Sequence, residues 1–402
     1  MNADTLLLFT TRIIRLFAYG FLSVVLMLYL VQVGLTEKEI GLLFTLTLLG
    51  DAVISLWITT SADRIGRRRM LLLGAVLMIL AGVVFAFTRN LVLLIAAAIV
   101  GVLSPSGNEI GPFLSIEQAS LSQLTSNERR TQLFAWYNLA GSVATAAGAL
   151  IGGWLAHSLQ TSGIPLLESY RIVVIGYAIC GAFLASCFMF LSRSVEVAAT
   201  SPRVSNTLGL HKSKSVVMKL STLFALDAFA GGFIVQSIMA YWFHVKFGVD
   251  VGILGSIFFG ANILAGISAL LAVRIAQRIG LINTMVFTHI PSNILLCLVP
   301  LMPTLWLAVA VLLLRFSISQ MDVPTRQSYT MAVVAPDERS AASGVTTIAR
   351  SVGASLSPAL SGLFLASPLF ISFPFYLAGG LKVAYDLLLY RSFKSLKPPE
   401  ER

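Results

Sequence analysis

Apolar residues gather into twelve long runs along this chain, at roughly 12–33, 39–60, 70–88, 91–122, 131–156, 171–192, 216–244, 252–274, 281–300, 305–334, 340–366 and 371–390. The runs are continuous and do not alternate with polar residues, which argues for helices and against the strands of a membrane barrel. About 20 apolar residues in a helix cross a bilayer, so the pattern predicts an all-α polytopic membrane protein with twelve transmembrane spans. Several runs are longer than a crossing needs, which implies tilt or kinks. Arg12 and Arg15 at the head of the first run give it the look of a signal peptide. The run is too long for one, and no small-residue cleavage site stands at Gly34-Leu35-Thr36-Glu37, so it reads as a retained first span.

Composition agrees. Of 402 residues, 57% are hydrophobic and 11% charged, with a mean hydropathy of +0.86, where a soluble domain carries about 25% charged residues. The net charge of +10 does not indicate nucleic acid, because the basic residues collect at helix ends on one side. Arg64, Arg67, Arg68, Arg69, Arg193, Arg274, Arg278, Arg339 and Arg391 lie on that side, against Lys38, Arg89, Arg171 and Lys246 on the other. Cytoplasmic loops collect Lys and Arg, so both termini are expected in the cytoplasm, in the plasma membrane, with an even number of spans. Cys180, Cys187 and Cys297 all fall in apolar runs and read as small core residues.

The chain repeats. Gly34, Gly41, Arg64, Ile65 and Gly66 recur as Gly248, Gly255, Arg278, Ile279 and Gly280, at a constant offset of 214, and Glu128-Arg129 recurs as Glu338-Arg339 at 210. The polar stretch 193–215 separates the copies. The expected organisation is therefore two pseudo-symmetric six-helix bundles, residues 1–192 and 216–402, joined by a cytoplasmic linker at 193–215. Both copies start on the same side, which makes the repeat a parallel one about an axis along the membrane normal.

Between the second and third runs stands Asp63-Arg64-Ile65-Gly66-Arg67-Arg68-Arg69. Its arginines hold the turn outside the hydrocarbon, and Gly66 permits a tight reversal. In order and position it resembles the loop 2–3 signature of the major facilitator superfamily, roughly Gly-x-Leu-Ala-Asp-Arg-x-Gly-Arg-Lys. Ala62, Asp63, Arg64, Gly66, Arg67 and Arg68 match, while Thr59 and Ser61 replace the leading Gly and Leu. The arginine found early in span 4 of many antiporters of that superfamily is absent from Ile99–Ser104. The resemblance implies a transporter similar to drug and metabolite exporters, with spans 1, 4, 7 and 10 lining a central cavity. Asp63, Arg64, Gly66, Arg67 and Arg68 are then expected to act as a conformational gate, with Asp63 bonding the start of span 11 near Ser340.

Ionisable groups at membrane depth are costly and mark candidate chemistry. The predicted substrate and proton pathway comprises Arg15, Tyr19, Asp51, Asn108, Glu109, Glu117, Asp227, Arg315, Asp322, Arg326 and Arg350. Asp51 lies twelve residues before Asp63, about 18 Å along a helix and so near the middle of the bilayer. Span 4 carries Ser104-Pro105-Ser106-Gly107-Asn108-Glu109-Ile110-Gly111-Pro112 and span 10 carries Ser319–Gln327 around Pro324, so both are expected to break. Glu117 precedes Arg129 by twelve residues and Arg326 precedes Arg339 by thirteen, which puts them at matching depth in the two copies. Arg15 and Arg315 are the cations whose depth suits an approach to the carboxylates. Lys382 and Asp386, four apart on one span, are expected to neutralise each other.

No phosphate loop, His/Cys metal spacing or nucleophile elbow occurs, so neither an enzyme nor a cofactor is expected. A half-repeat with broken helices fits alternating access better than a channel. The expected function is a secondary active transporter moving a small organic molecule, with proton-coupled export. The alternatives are an uptake symporter or facilitator and a transport-dead membrane sensor or scaffold. The expected partners are the lipid bilayer, a small-molecule substrate and protons, with no nucleic acid, and the chain is expected to act as a monomer.

Overall fold

The computed structural model describes residues 3–108, 112–125, 127–196, 211–335 and 338–396, without the side chains of Asp63, residues 127–132 and Ser340. Glu109 and most of the 193–215 stretch therefore lie outside the described residues, as do the two side chains of the expected Asp63–Ser340 bond.

The chain is all helix, with no strand among the described residues. Spans 2, 3, 5, 6, 8, 9, 11 and 12 are single helices. They are α3 (Glu37–Ile65), α4 (Arg67–Phe87), α7 (Asn127–Thr161), α8 (Leu166–Met189), α11 (Val251–Ile279), α12 (Leu281–Leu298), α15 (Arg339–Leu365) and α16 (Phe373–Phe393). Spans 1, 4, 7 and 10 are each split in two. Span 1 is α1 (Ala3–Ser23) and α2 (Leu26–Val33), span 4 is α5 (Leu91–Val100) and α6 (Phe113–Leu124), span 7 is α9 (Lys214–Gly232) and α10 (Gln236–Phe247), and span 10 is α13 (Leu305–Phe316) and α14 (Asp322–Val333). Among the described residues, nine segments are long and apolar enough to cross a bilayer unaided. Spans 4 and 10 are assembled from shorter pieces, and span 12 carries Lys382, Asp386 and Arg391. Span 1 begins nine residues before its predicted start, because Leu6-Leu7-Leu8 continues the helix and Asp4 anchors its first turn to Ser192 and Ser194.

Capping fixes several ends. Thr36 and Glu39 form a capping box at α3, with the Thr36 N–H donating to the Glu39 carboxylate at 2.8 Å and the Glu39 N–H donating back to the Thr36 hydroxyl at 3.3 Å. Asn90 accepts from the N–H groups of Val92 and Leu93 at the head of α5. The sequence repeat is visible in the backbone. Gly34 and its mate Gly248 have φ of 107° and 65°, and Gly66 and its mate Gly280 have 117° and 87°. Those conformations exclude ordinary side chains at the same two turns of both copies.

The contacts group the chain into two compact units, Met1–Pro202 with Val235–Phe259, and Arg203–Ile234 with Gly260–Arg402. The segment around α10 thus belongs with the first unit, although it follows the linker in sequence. In the first unit α1 lies tightly on α7, where a Cβ on Gly148 would stand 2.0 Å from the Phe17 carbonyl oxygen. In the second unit α9 lies equally close on α15, where a Cβ on Gly353 would stand 2.3 Å from the Ala225 carbonyl oxygen. Small residues that let backbones touch replace the hydrophobic drive that lipid cannot supply. Spans 1 and 5 in one copy and 7 and 11 in the other are equivalent pairs.

Candidate functional site

The four split spans leave backbone groups without helical partners, and in a membrane these must be satisfied inside the protein. In the first unit the breaks in spans 1, 4 and 7 meet. The Ser237 hydroxyl lies 2.7 Å from both the Ser23 and Pro105 carbonyl oxygens, and the Ser237 N–H donates to the Pro105 carbonyl at 3.0 Å. The Gln236 amide donates to the Ser23 hydroxyl at 2.8 Å. At the same end, Tyr241 on α10 donates its hydroxyl to Glu37 at 2.6 Å.

Two charged clusters are built on these spans. In the first unit Arg15 on α1 and Glu117 on α6 form a bidentate pair, at 2.8 and 2.7 Å, with both side chains fully buried. Thr11 donates to the same carboxylate at 2.8 Å and the Tyr137 hydroxyl of α7 adds a further bond. The Arg15 guanidinium rests over the Phe113 ring. Arg12, whose long side chain would be expected to snorkel at the cytoplasmic interface, is instead buried against Tyr137, stacking on its ring and donating to its carbonyl oxygen at 3.0 Å.

In the second unit Asp227 on α9 is the hub. It accepts from Arg326 on α14 at 3.0 Å, from Arg350 on α15 at 3.3 Å and from Lys382 on α16. Arg326 also donates to Asp322 at 2.9 Å. Glu117 and Arg326 each stand four residues into the second helix of their span, on α6 and α14. Each pairs with the first helix of its own copy, with the charges exchanged: Arg15 to Glu117 in one, Asp227 to Arg326 in the other.

Lys382 and Asp386 do not neutralise each other. Although four residues apart on α16, each reaches a different helix, Lys382 to Asp227 and Asp386 to His289 and Asn293 on α12 at 2.9 and 3.1 Å. A buried interhelical partner outcompetes the weak pairing along one helix face. Sequence reasoning missed Tyr137, His289, Asn293 and Ser237, none of which stands out by charge. A usable signal did exist for Lys382, because Asp227 has no cation three or four residues away on its own helix and must find one on another.

Of the other predicted residues, Tyr19 is fully buried on α1. Asp51 is half-buried on α3 and accepts from Ser55 at 3.3 Å. Asn108 lies exposed at the span 4 break, its carbonyl oxygen accepting from the Ser104 hydroxyl at 2.8 Å. Arg315 is buried at the end of α13, and no ion pair joins it to the clusters among the described residues. The gate residues sit at a turn held by a residue the sequence reading did not name. Glu196 accepts from the N–H groups of Arg67 and Arg68 at 2.7 and 3.2 Å, closing the α4 N-terminus as a carboxylate favoured by the helix dipole. Arg67 and Arg68 then donate to the Val195 and Met189 carbonyl oxygens at 3.2 and 2.5 Å. In the second unit Glu338 gathers the backbone donors just ahead of a different helix, α9. It accepts from the N–H groups of His211, Lys212 and Ser213 at 2.6, 2.6 and 2.8 Å. Burial alone would raise this carboxyl, yet those donors hold it down to about 2.

Helices that cross a bilayer, a doubled backbone pattern and buried charges on four split spans define a polytopic integral membrane protein. A family model described as the Major Facilitator Superfamily matches residues 8–358 and 222–402, and the chain belongs to that superfamily. A Saccharomyces cerevisiae relative, described as the uncharacterized membrane protein YJR124C, is 31% identical over 96% of this chain and 93% of its own. The quinolone resistance protein NorA of Staphylococcus aureus is 23% identical over 39% of each chain. The nucleoside transporter NupG shares the fold with a TM-score of 0.75, 14% identity, and coverage of 98% of this chain and 100% of its own. The chain therefore works in a lipid environment on a small-molecule substrate.

Proposed function

We propose that this chain is a proton-coupled secondary transporter that exports a small organic molecule by alternating access. The observation that carries the reading is the concentration of buried charge on the split spans 1, 4, 7 and 10. Ion pairs between helices that move can exchange partners during a cycle, and such exchange links protonation to conformation. Asp51 and Glu109 are the proposed proton carriers, followed by Asp227 and Asp322. Arg15, Tyr19, Asn108, Glu117, Arg315, Arg326 and Arg350 complete the pathway. The turn from Asp63 to Arg68 serves as the gate, and its anchoring by Glu196 supports a fixed orientation there. The excess of basic residues on one side supports an orientation with both termini in the cytoplasm, and the membrane proposed is the plasma membrane. The protein acts as a monomer, as two six-helix bundles joined by the 193–215 linker. Likeness to a quinolone resistance protein over 39% of the chain favours export over uptake.

Asp51→Asn and Glu109→Gln, reconstituted in liposomes, test the coupling. Loss of gradient-driven movement with exchange at equal pH intact is the expected result for the carrier. If both variants still concentrate substrate under a pH difference, neither residue couples.

A further inference from the structure

Asp386 on α16 is a fully buried carboxylate, and among the described residues no arginine or lysine bonds it. Its partners stand one turn apart on α12. His289 Nδ1 lies 2.9 Å from one carboxylate oxygen, and the Asn293 amide donates to the other at 3.1 Å. The His289 side chain is 5% exposed. Lys382, four residues before Asp386 on the same helix, reaches away to Asp227. There it is the third cation, beside Arg326 and Arg350 at 3.0 and 3.3 Å. Asp227 can therefore release Lys382 and remain paired, while Asp386 has no such cation of its own.

The surroundings of Asp386 have room for an exchange. Asn293 Oδ1 is buried with no hydrogen-bond partner. It belongs to the same amide that holds Asp386, so an ammonium arriving there finds a free acceptor. Pro291, two residues past His289, stands inside α12 and removes a helical hydrogen bond at that level. The other charges nearby form one network. Tyr385 of α16 meets the His289 ring edge-on, with centroids 6.1 Å apart. Asp227 on α9 interacts electrostatically with both His289 and Asp386. Arg326 and Asp322 on α14 and Arg350 on α15 act on Tyr385, and Arg315 on α13 reaches them through Asp322.

Histidine is the side chain whose charge ordinarily changes between about pH 5 and 8. With a proton added at the imidazole, the pair is an imidazolium and a carboxylate and carries no net charge. With that proton given back, a neutral imidazole donates its Nδ1–H to the carboxylate, and the pair is an anion. Residues four apart on a helix are neighbours, so Lys382 has this anion within reach.

We propose that His289 and Asp386 form a proton-binding site, and that its occupancy decides which of two carboxylates Lys382 serves. With the proton bound, Lys382 stays on Asp227, the arrangement of the structure. With the proton gone, the anion draws Lys382 one turn along α16 to Asp386 and Asn293 Oδ1, and α16 loosens its hold on α9. The site sets the grip on the first helix of span 7, while the coupled proton remains with the carriers proposed above. That consequence for transport rests on the transporter reading; the proton site does not.

The test is nuclear magnetic resonance of the purified full chain in detergent micelles, with ring-labelled histidine and side-chain-labelled lysine, from about pH 5 to 8. His289→Gln identifies the His289 signal and Lys382→Arg the Lys382 signal. A chain with His157, His211 and His244 replaced by glutamine identifies His289 even where His289→Gln misfolds. The expected result is a His289 signal that passes between its neutral and charged forms, and a Lys382 signal that moves with the same midpoint. In Asp386→Asn the histidine should still titrate and the lysine no longer follow, because its second carboxylate is gone. A His289 signal in one protonation state throughout overturns the proton site. A histidine that titrates with no lysine signal following it overturns the exchange, as does a lysine that still follows in Asp386→Asn. The spectra need no transported solute. Titration in a chain that moves no solute in proteoliposomes keeps this site and removes the transporter reading, whereas transport without titration does the reverse.

Discussion

Arg15 and Glu117 show what a buried pair commits a protein to. Each is fully buried, and together with Thr11 and Tyr137 they satisfy one another. Removing one partner leaves a naked charge in a medium that cannot solvate it, a loss of roughly 3–5 kcal/mol, whereas replacing both by apolar residues is often close to neutral. Arg15→Met and Glu117→Leu alone should each lower the melting temperature sharply. The double variant should recover most of it and yet fail to transport, if the pair belongs to the pathway. Glu338 makes a pH-dependent prediction outside the spans. Its carboxyl is held at about 2 in the folded protein against an ordinary 4.5. A depressed folded value contributes stability above the unfolded value, and that contribution fades as pH falls from about 4.5 toward 2. Melting curves between pH 6 and 3 should show the wild type losing an advantage that Glu338→Gln never has. Parallel curves for the two proteins would remove Glu338 from the account. At this scale the sequence was informative about which residues carry charge at depth. It was not informative about partners, because Lys382 and Asp386 look paired by spacing and are not.

The split spans are the element-level feature on which the site depends. Pro105, Gly107 and Pro112 announced the break in span 4, and Pro324 with its charged neighbours pointed to span 10. Nothing of that kind marks Ser23–Leu26 in span 1 or Gly232–Gln236 in span 7, apart from glycines that also suit close packing. Those breaks follow from tertiary partners, since Ser237 and Gln236 supply donors to groups freed at the other breaks. Ser237→Ala removes the hydroxyl shared by the Ser23 and Pro105 carbonyls but keeps the backbone donor to Pro105. A loss of about 1–3 kcal/mol is expected, the cost of an unsatisfied buried acceptor. Hydrogen exchange at the start of α10 should quicken at the same time. Unchanged melting and exchange would mean that lipid headgroups or water satisfy those carbonyls instead.

At the scale of the whole molecule the repeat was the most legible feature. Gly34, Gly66 and their mates at a constant offset were visible as letters and returned as matched positive-φ turns, because a backbone demand of that kind admits few residues. What no repeat could convey is the departure from it. The copies exchange the sign of their paired charges, the cation standing on the first helix of one and the anion on the first helix of the other. The central claim is that this molecule couples protons to a transported solute. The direct measurement is internal pH, read by a trapped dye in proteoliposomes as each solute of a charge-varied panel is added, alongside uptake of that solute. The account predicts that a solute which moves also shifts internal pH, that an imposed pH difference accelerates it, and that the Asp51→Asn, Glu109→Gln double variant abolishes both effects while leaving exchange at equal pH. A solute carried down its own gradient with no proton movement and no response to pH would contradict it.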